Sequence, residues 1–154
     1  MSSLKGKRVI ILVADDDSDD RMLAHEALAE NKLDHDLHFV KDGEELLDYL
    51  YRRGDYTSGD KSPRPGLILL DLNMPRKDGR TALKEIKADP NLRTIPVVIL
   101  TTSKSGDDIY RTYDLGANSY IVKPASFDEL VNVMNALGKY WFEIVEVEPN
   151  AAGA

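Results

Sequence analysis

Five side chains capable of joint chemistry follow short apolar runs. Asp15 and Asp16 come after RVIILV, Asp71 after LILL, Thr101 after VVIL and Lys123 after YIV. Three carboxylates brought together repel one another. A like-charge pair about 4 Å apart costs about 4 kcal/mol at an effective dielectric of about 20. A divalent cation together with the Lys123 ammonium would balance the three acids. Mg²⁺ suits such a site, because it takes oxygen ligands at about 2.1 Å and keeps several waters. Asp71 stands between the other acids and the lysine and is the candidate nucleophile. A carboxylate can attack phosphorus to give an acyl phosphate, and the cation and lysine would offset charge on the transferring group. The Thr101 hydroxyl is placed to donate to a phosphoryl oxygen. Phosphorylation adds roughly one negative charge beyond that of Asp71, which would draw Thr101 and the loop after it toward the site.

These residues share one edge only if the runs are parallel strands. Arg8–Val13, Leu37–Val40, Leu67–Leu70, Val97–Leu100 and Tyr120–Val122 are short and rich in branched residues, as buried strands are. Helical spacing alternates with them: Asp19–Glu30 with Leu23, Ala24, Ala27 and Leu28 inward, Gly43–Arg53 with Leu46, Leu47 and Leu50 inward, Arg80–Ala88, Ser105–Leu115 and Ser126–Trp141. Ser18 is the expected cap of the first helix. Asp89-Pro90 ends the third, Gly116 ends the fourth, and Ser126 with Glu129 forms a capping-box pattern on the last. Five strand–helix repeats imply an α/β fold with a parallel sheet covered on both faces. In such sheets ligands sit at the carboxyl ends of the strands, where the acids, hydroxyl and lysine fall.

Gly54–Gly66 (GDYTSGDKSPRPG) is rich in turn formers and reads as a loop, either a partner contact or a tolerated insertion. Asp17, Asp19 and Asp20 read as turn or cap residues, and Pro75 and Gly79 as shapers of the turn after Asp71. Tyr120 is either core or a moving part. His25, His35 and His38 show no ligand spacing. The 154-residue chain reads as one domain, with a core at about 8–141 and a tail at 142–154. Its 42% hydrophobic and 31% charged residues are ordinary for a globular protein. A formal net charge of −7 argues against nucleic-acid binding, which needs a basic footprint. No apolar run is long enough to span a bilayer, no secretory signal is visible, and there is no cysteine, so a cytoplasmic location is expected.

Val13-Ala14-Asp15-Asp16-Asp17, Leu70-Asp71-Leu72-Asn73-Met74-Pro75, Leu100-Thr101-Thr102 and Tyr120-Ile121-Val122-Lys123-Pro124 resemble, in order, the signature segments of response-regulator receiver domains. The resemblance covers about residues 8 to 138. It implies a flavodoxin-like (βα)5 doubly wound sheet of strand order 2-1-3-4-5. It implies phosphotransfer from a histidine kinase to Asp71, and Mg²⁺ held by Asp16, Asp71 and the Asn73 carbonyl, with Asp15 reaching through water. It also implies a phosphoryl contact for Lys123, a cis bond before Pro124, and Thr101 and Tyr120 as a switch pair. Such a regulator catalyses only its own phosphoryl transfer and dephosphorylation. Thr102 is bulkier than the alanine or glycine often found at that position.

Within the family, the chain is similar to single-domain regulators that partner bacterial phytochromes. Pro63-Arg64-Pro65, the run from Asp71 to Arg80, Tyr113-Asp114-Leu115-Gly116-Ala117-Asn118 and the tail Tyr140-Trp141-Phe142-Glu143-Ile144-Val145 carry that likeness. It implies a homodimer. Trp141, Phe142, Ile144 and Val145 are too apolar for a free end, so they either fold back on the core or bury against a second subunit. Three other functions compete. A phosphoaspartate-type hydrolase would need a second acid two positions after the nucleophile, where Asn73 stands. A flavodoxin-like cofactor carrier would need a phosphate loop where the first acids stand. A passive receiver-fold scaffold would have no use for the acid–lysine set.

Overall fold

The computed structural model describes residues 9–29 and 35–144. Five strands, β1 (Val9–Ala14), β2 (His35–Val40), β3 (Leu67–Leu70), β4 (Val97–Thr101) and β5 (Ser119–Val122), pair in parallel in the order β2-β1-β3-β4-β5. The helices are α1 (Ser18–Ala29), α2 (Gly43–Tyr51), α3 (Gly79–Ala88), α4 (Gly106–Leu115) and α5 (Phe127–Gly138), the last running into a π-helical turn, Lys139–Ile144. Helices α1 and α5 pack together, while α2, α3 and α4 follow one another along the other face.

Alternation along the strands divides the core in two. Ile11 and Val13 of β1, Leu67 and Leu69 of β3, and Val98 and Leu100 of β4 join Ala24, Ala27 and Leu28 of α1 and Met134 of α5. Their neighbours Leu12, Ala14, Ile68, Leu70, Val97 and Ile99 join Leu46, Leu47, Leu83 and Ile86 on the opposite face. Each fully buried aliphatic side chain contributes roughly 1.5–3 kcal/mol. The central strands β3 and β4 are wholly buried. The edge strand β5 is half-buried throughout. Strand β2, the other edge, begins at His35 rather than at the expected Leu37, because an edge strand tolerates polar residues such as Asp36 and His38.

Local signals set the helix starts. Asp17 Oδ1 accepts from the Asp19 and Asp20 N–H groups at 2.8 and 3.3 Å, so Asp17 and not Ser18 satisfies the first turn of α1. Asp42, Asp78, Ser105 and Ser126 cap the other four. Helix α2 stops at Tyr51, with Arg52 left-handed at φ 55°, and Gly116 ends α4 at φ 114°.

The segment after α2 is tied to the core by a few side chains, while Gly54, Asp55, Thr57, Ser58, Asp60 and Lys61 stay exposed. It forms two 3₁₀ turns, Gly54–Tyr56 and Gly59–Lys61. The Tyr49 hydroxyl donates to the Pro63 carbonyl at 2.8 Å, and the Tyr56 hydroxyl to Glu45 at 2.7 Å. Peptide bonds among the described residues are trans, the one before Pro124 included, where the resemblance implied cis. Trans is favoured at X–Pro bonds by about 0.5–1 kcal/mol.

At the chain's end, Trp141 is 6% exposed and packs with α1 and α5, so its ring folds back on the chain's own core. The side chains of Phe142 and Ile144, and all of Val145, lie outside the described residues.

Candidate functional site

Strands β1 and β3 end side by side, and the Asp71 N–H donates to the Ala14 carbonyl at 2.9 Å. That pairing brings the acids of two strand ends into one place. Asp15, Asp16 and Asp71 each offer a carboxylate oxygen, and these oxygens all lie within 4.8 Å of one another. Asp15 and Asp71 are buried, whereas Asp16 is open to solvent. Hard oxygen donors clustered this closely, with one face toward water, fit a small divalent cation such as Mg²⁺ or Mn²⁺. Burial pushes the Asp15 carboxyl above its ordinary range, and the nearby Asp71 charge adds to that. Hydrogen bonds from Lys123 and the Asp17 N–H pull the other way.

Lys123 follows β5 and is anchored by its own N–H, which donates to the Thr101 carbonyl at 2.8 Å. Its ammonium reaches Asp15 Oδ2 at 2.8 Å, Asp20 Oδ2 at 2.7 Å and Asp71 Oδ2 at 3.2 Å. Burial works against the ammonium, but hydrogen bonds to Asp15 and Asp20 and the charges of Asp15 and Asp71 outweigh it, so its pKa rises above the ordinary lysine value.

The other oxygen of Asp71 is held from β4 and from its own turn. Thr101 Oγ1 donates to Asp71 Oδ1 at 2.7 Å, and the Asn73 N–H donates to the same atom at 3.2 Å. Thr101 is fully buried, while Thr102 beside it is exposed. Gly79 lets α3 start directly against this turn. A Cβ there would lie 2.3 Å from the Asp71 carbonyl oxygen and 2.7 Å from Leu72 Cα. Gly79 therefore does more than shape a turn: it allows the helix to seat on the backbone of the Asp71 segment.

The loop after Thr101 is tied on both sides. The Tyr120 hydroxyl donates to the Ser103 carbonyl at 3.0 Å, and its half-buried ring packs on the core. Ser103 Oγ donates to Asp108 Oδ2 at 2.7 Å, and Asp108 in turn pairs with Arg80. The hydrogen bonds from Arg80 and Ser103 hold the Asp108 carboxyl down at about 2.

Asp15, Asp16, Asp71, Thr101 and Lys123 are thus gathered at one sheet edge, with Asn73 beside Asp71 and Tyr120 one loop away. Two features escape a reading of motifs. Asp20, a turn or cap residue by sequence, binds Lys123 instead; its place three residues after the Asp17 cap turns it toward the strand ends. The Arg80–Asp108–Ser103 chain joins three elements, and no sequence spacing links them.

The geometry agrees with the chain's likeness to known proteins. Residues 11–135 match the response regulator receiver domain. The chain is 43% identical over 138 residues to the response regulator Rcp1 of Synechocystis sp., covering 90% of this chain and 91% of Rcp1. A crystal structure of the Mn²⁺-bound form of Rcp1 superposes with a TM-score of 0.85 at 40% identity, covering 92% of this chain and 99% of the other. The phosphorylated cyanobacterial phytochrome response regulator RcpA superposes with a TM-score of 0.87 at 40% identity, covering 93% and 100%. With the strand order, the acid cluster and these matches agreeing, the chain belongs to the response regulator receiver domain family.

Proposed function

We propose that this chain is a phosphorylation-operated switch that receives a phosphoryl group on Asp71 from the phosphohistidine of a sensor kinase. The likeness to the phytochrome response regulator RcpA favours a bacterial phytochrome as that kinase. The observation that carries the reading is the setting of Asp71. Its carboxylate is buried among Asp15 and Asp16, with Lys123 on one oxygen and Thr101 on the other.

In the transfer, an Asp71 oxygen forms a new O–P bond as the N–P bond of the donor imidazole breaks. The leaving nitrogen keeps the electron pair and takes up a proton. Lys123 offers its ammonium to the phosphoryl oxygens. Thr101 gives up its bond to Asp71 Oδ1 and turns its hydroxyl to a phosphoryl oxygen. That pulls on the loop that Tyr120 holds through Ser103, so the signal leaves the site through the Thr101–Tyr120 pair. Asp16, Asp71 and the Asn73 carbonyl would hold Mg²⁺, with Asp15 acting through water. The bound ion supplies positive charge beside the phosphoryl oxygens.

The protein works as a regulator through protein contacts rather than as a turnover enzyme. We read it as a homodimer; Tyr110, Tyr113, Phe127 and Tyr140 are large aromatic side chains left exposed. Sedimentation with and without phosphorylation tests that state, and a monomer under both conditions refutes it. Incubation with Mg²⁺ and acetyl phosphate tests the function itself. One adduct of about 80 Da forms, as for a single acceptor, and Asp71→Asn abolishes it. Steady release of phosphate from small phosphomonoesters would instead make the chain a hydrolase.

A further inference from the structure

We propose that Asp20 is a positioning residue for Lys123: it holds the ammonium in the unphosphorylated state and competes with the phosphoryl group for it. The inference rests on Asp71 being the phosphoacceptor. An ammonium has three N–H donors. All three are engaged here, and the shortest contact goes to Asp20, at 2.7 Å, while the longest goes to Asp71, at 3.2 Å. The lysine is therefore held more closely by a side chain of α1 than by the group it must serve.

The three partners differ in what they can give up. Asp15 is buried and belongs to the acid trio, and its other oxygen is fixed by the Asp17 N–H at 3.0 Å. Asp71 carries the new group. Asp20 lies outside the trio, and its side chain is 33% exposed, so water can replace the lysine there at small cost. When phosphoryl oxygens arrive beyond the Asp71 carboxylate, the ammonium advances toward them, and the contact to Asp20 is the one released. Asp20 binds Lys123 in the free state and loses it in the phosphorylated state. Only such a differential contact can shift the equilibrium between two states. Asp20 thus lowers the affinity of the site for a phosphoryl group and sets how readily the switch is thrown.

The test is a titration with beryllofluoride, which stands in for a phosphoryl group on a carboxylate, at saturating Mg²⁺ and followed by ¹⁹F NMR. Asp20→Asn keeps the shape at a half-exposed position and removes the charge. It is expected to bind beryllofluoride about three- to fivefold tighter, the upper range of a partly exposed charged contact. Asp19→Asn removes the same charge one residue away, at an exposed position, and is expected to bind within about twofold of wild type. In a Lys123→Gln background the gain from Asp20→Asn disappears. Unchanged or weaker binding by Asp20→Asn overturns the proposal, as does an equal gain from Asp19→Asn. A wild-type protein that takes up no beryllofluoride would instead remove the reading of Asp71, and this inference with it.

Discussion

Arg80 and Asp108 form a two-pronged ion pair, Nε to Oδ1 at 2.7 Å and Nη2 to Oδ2 at 2.6 Å, that ties the first turn of α3 to the first turn of α4. One of these helices starts just after Asp71 and the other just after the Thr101 loop. The pair therefore ties the helix seated on the Asp71 turn to the helix that follows the Thr101 loop.

A consequence is a pH-dependent contribution to stability. The Asp108 carboxyl is held down at about 2 in the folded chain, against an ordinary value of 3.8. Between those values the unfolded chain binds the proton and the folded chain does not, so stability rises with pH there. The contribution is complete above the unfolded value and is lost as pH falls through the folded one. Asp108→Asn should cost about 1–2 kcal/mol near neutral pH, allowing for solvent around Arg80. Urea unfolding from about pH 7 down to about pH 2 should show the gap closing below about pH 4.

Gly79→Ala should be costly out of proportion to one methyl group. The new Cβ meets backbone, the Asp71 carbonyl oxygen and Leu72 Cα, which cannot swing aside as a flexible side chain can. Overpacking of this kind costs about 1–3 kcal/mol. Displacing Asp71 should also weaken divalent-ion binding, measured by calorimetry.

Crowded acids should make the metal-free protein less stable than it could be. Asp71→Asn removes one of three carboxylates whose oxygens cluster within 4.8 Å, and Lys123 keeps Asp15 and Asp20 as partners. Without divalent ions the variant should melt about 2–4 °C higher, corresponding to about 1 kcal/mol. Millimolar Mg²⁺ should narrow the difference by stabilising the wild type through binding.

Thr101→Ala should separate chemistry from signalling. The variant keeps Asp71 and the Asn73 N–H bond to it, and loses the 2.7 Å bond from the hydroxyl. Its stability should fall by about 1 kcal/mol, and it should still take up beryllofluoride. The amide shifts of Ser103, Lys104 and Tyr120 that follow uptake in the wild type should shrink in NMR spectra. A full response would place the trigger elsewhere.

The central strands β1, β3 and β4 read as unbroken apolar runs, and the half-buried edge strand β5 keeps a short one in Tyr120-Ile121-Val122, so the ends of these four strands were legible to within a residue, and with them the meeting of Asp15, Asp16, Asp71, Thr101 and Lys123. The start of β2 was less so, because a half-exposed edge strand carries Asp36 and His38 where the pattern asks for apolar residues. Asp17, Ser18, Asp19 and Asp20 all suit a helix start. Which of them caps and which turns inward to Lys123 depends on the phase of α1, and composition does not carry that phase. The Tyr49–Pro63 and Arg80–Asp108 bonds join side chains to distant partners through tertiary packing alone.

The most direct test of Asp71 as acceptor is chemical. After treatment with acetyl phosphate and Mg²⁺, borohydride reduces an aspartyl phosphate to homoserine, and peptide mass spectrometry locates it. Homoserine at position 71 and at no other aspartate is the predicted result. Homoserine at position 15, 16 or 20, or phosphate on a hydroxyl with position 71 unmodified, would contradict the account.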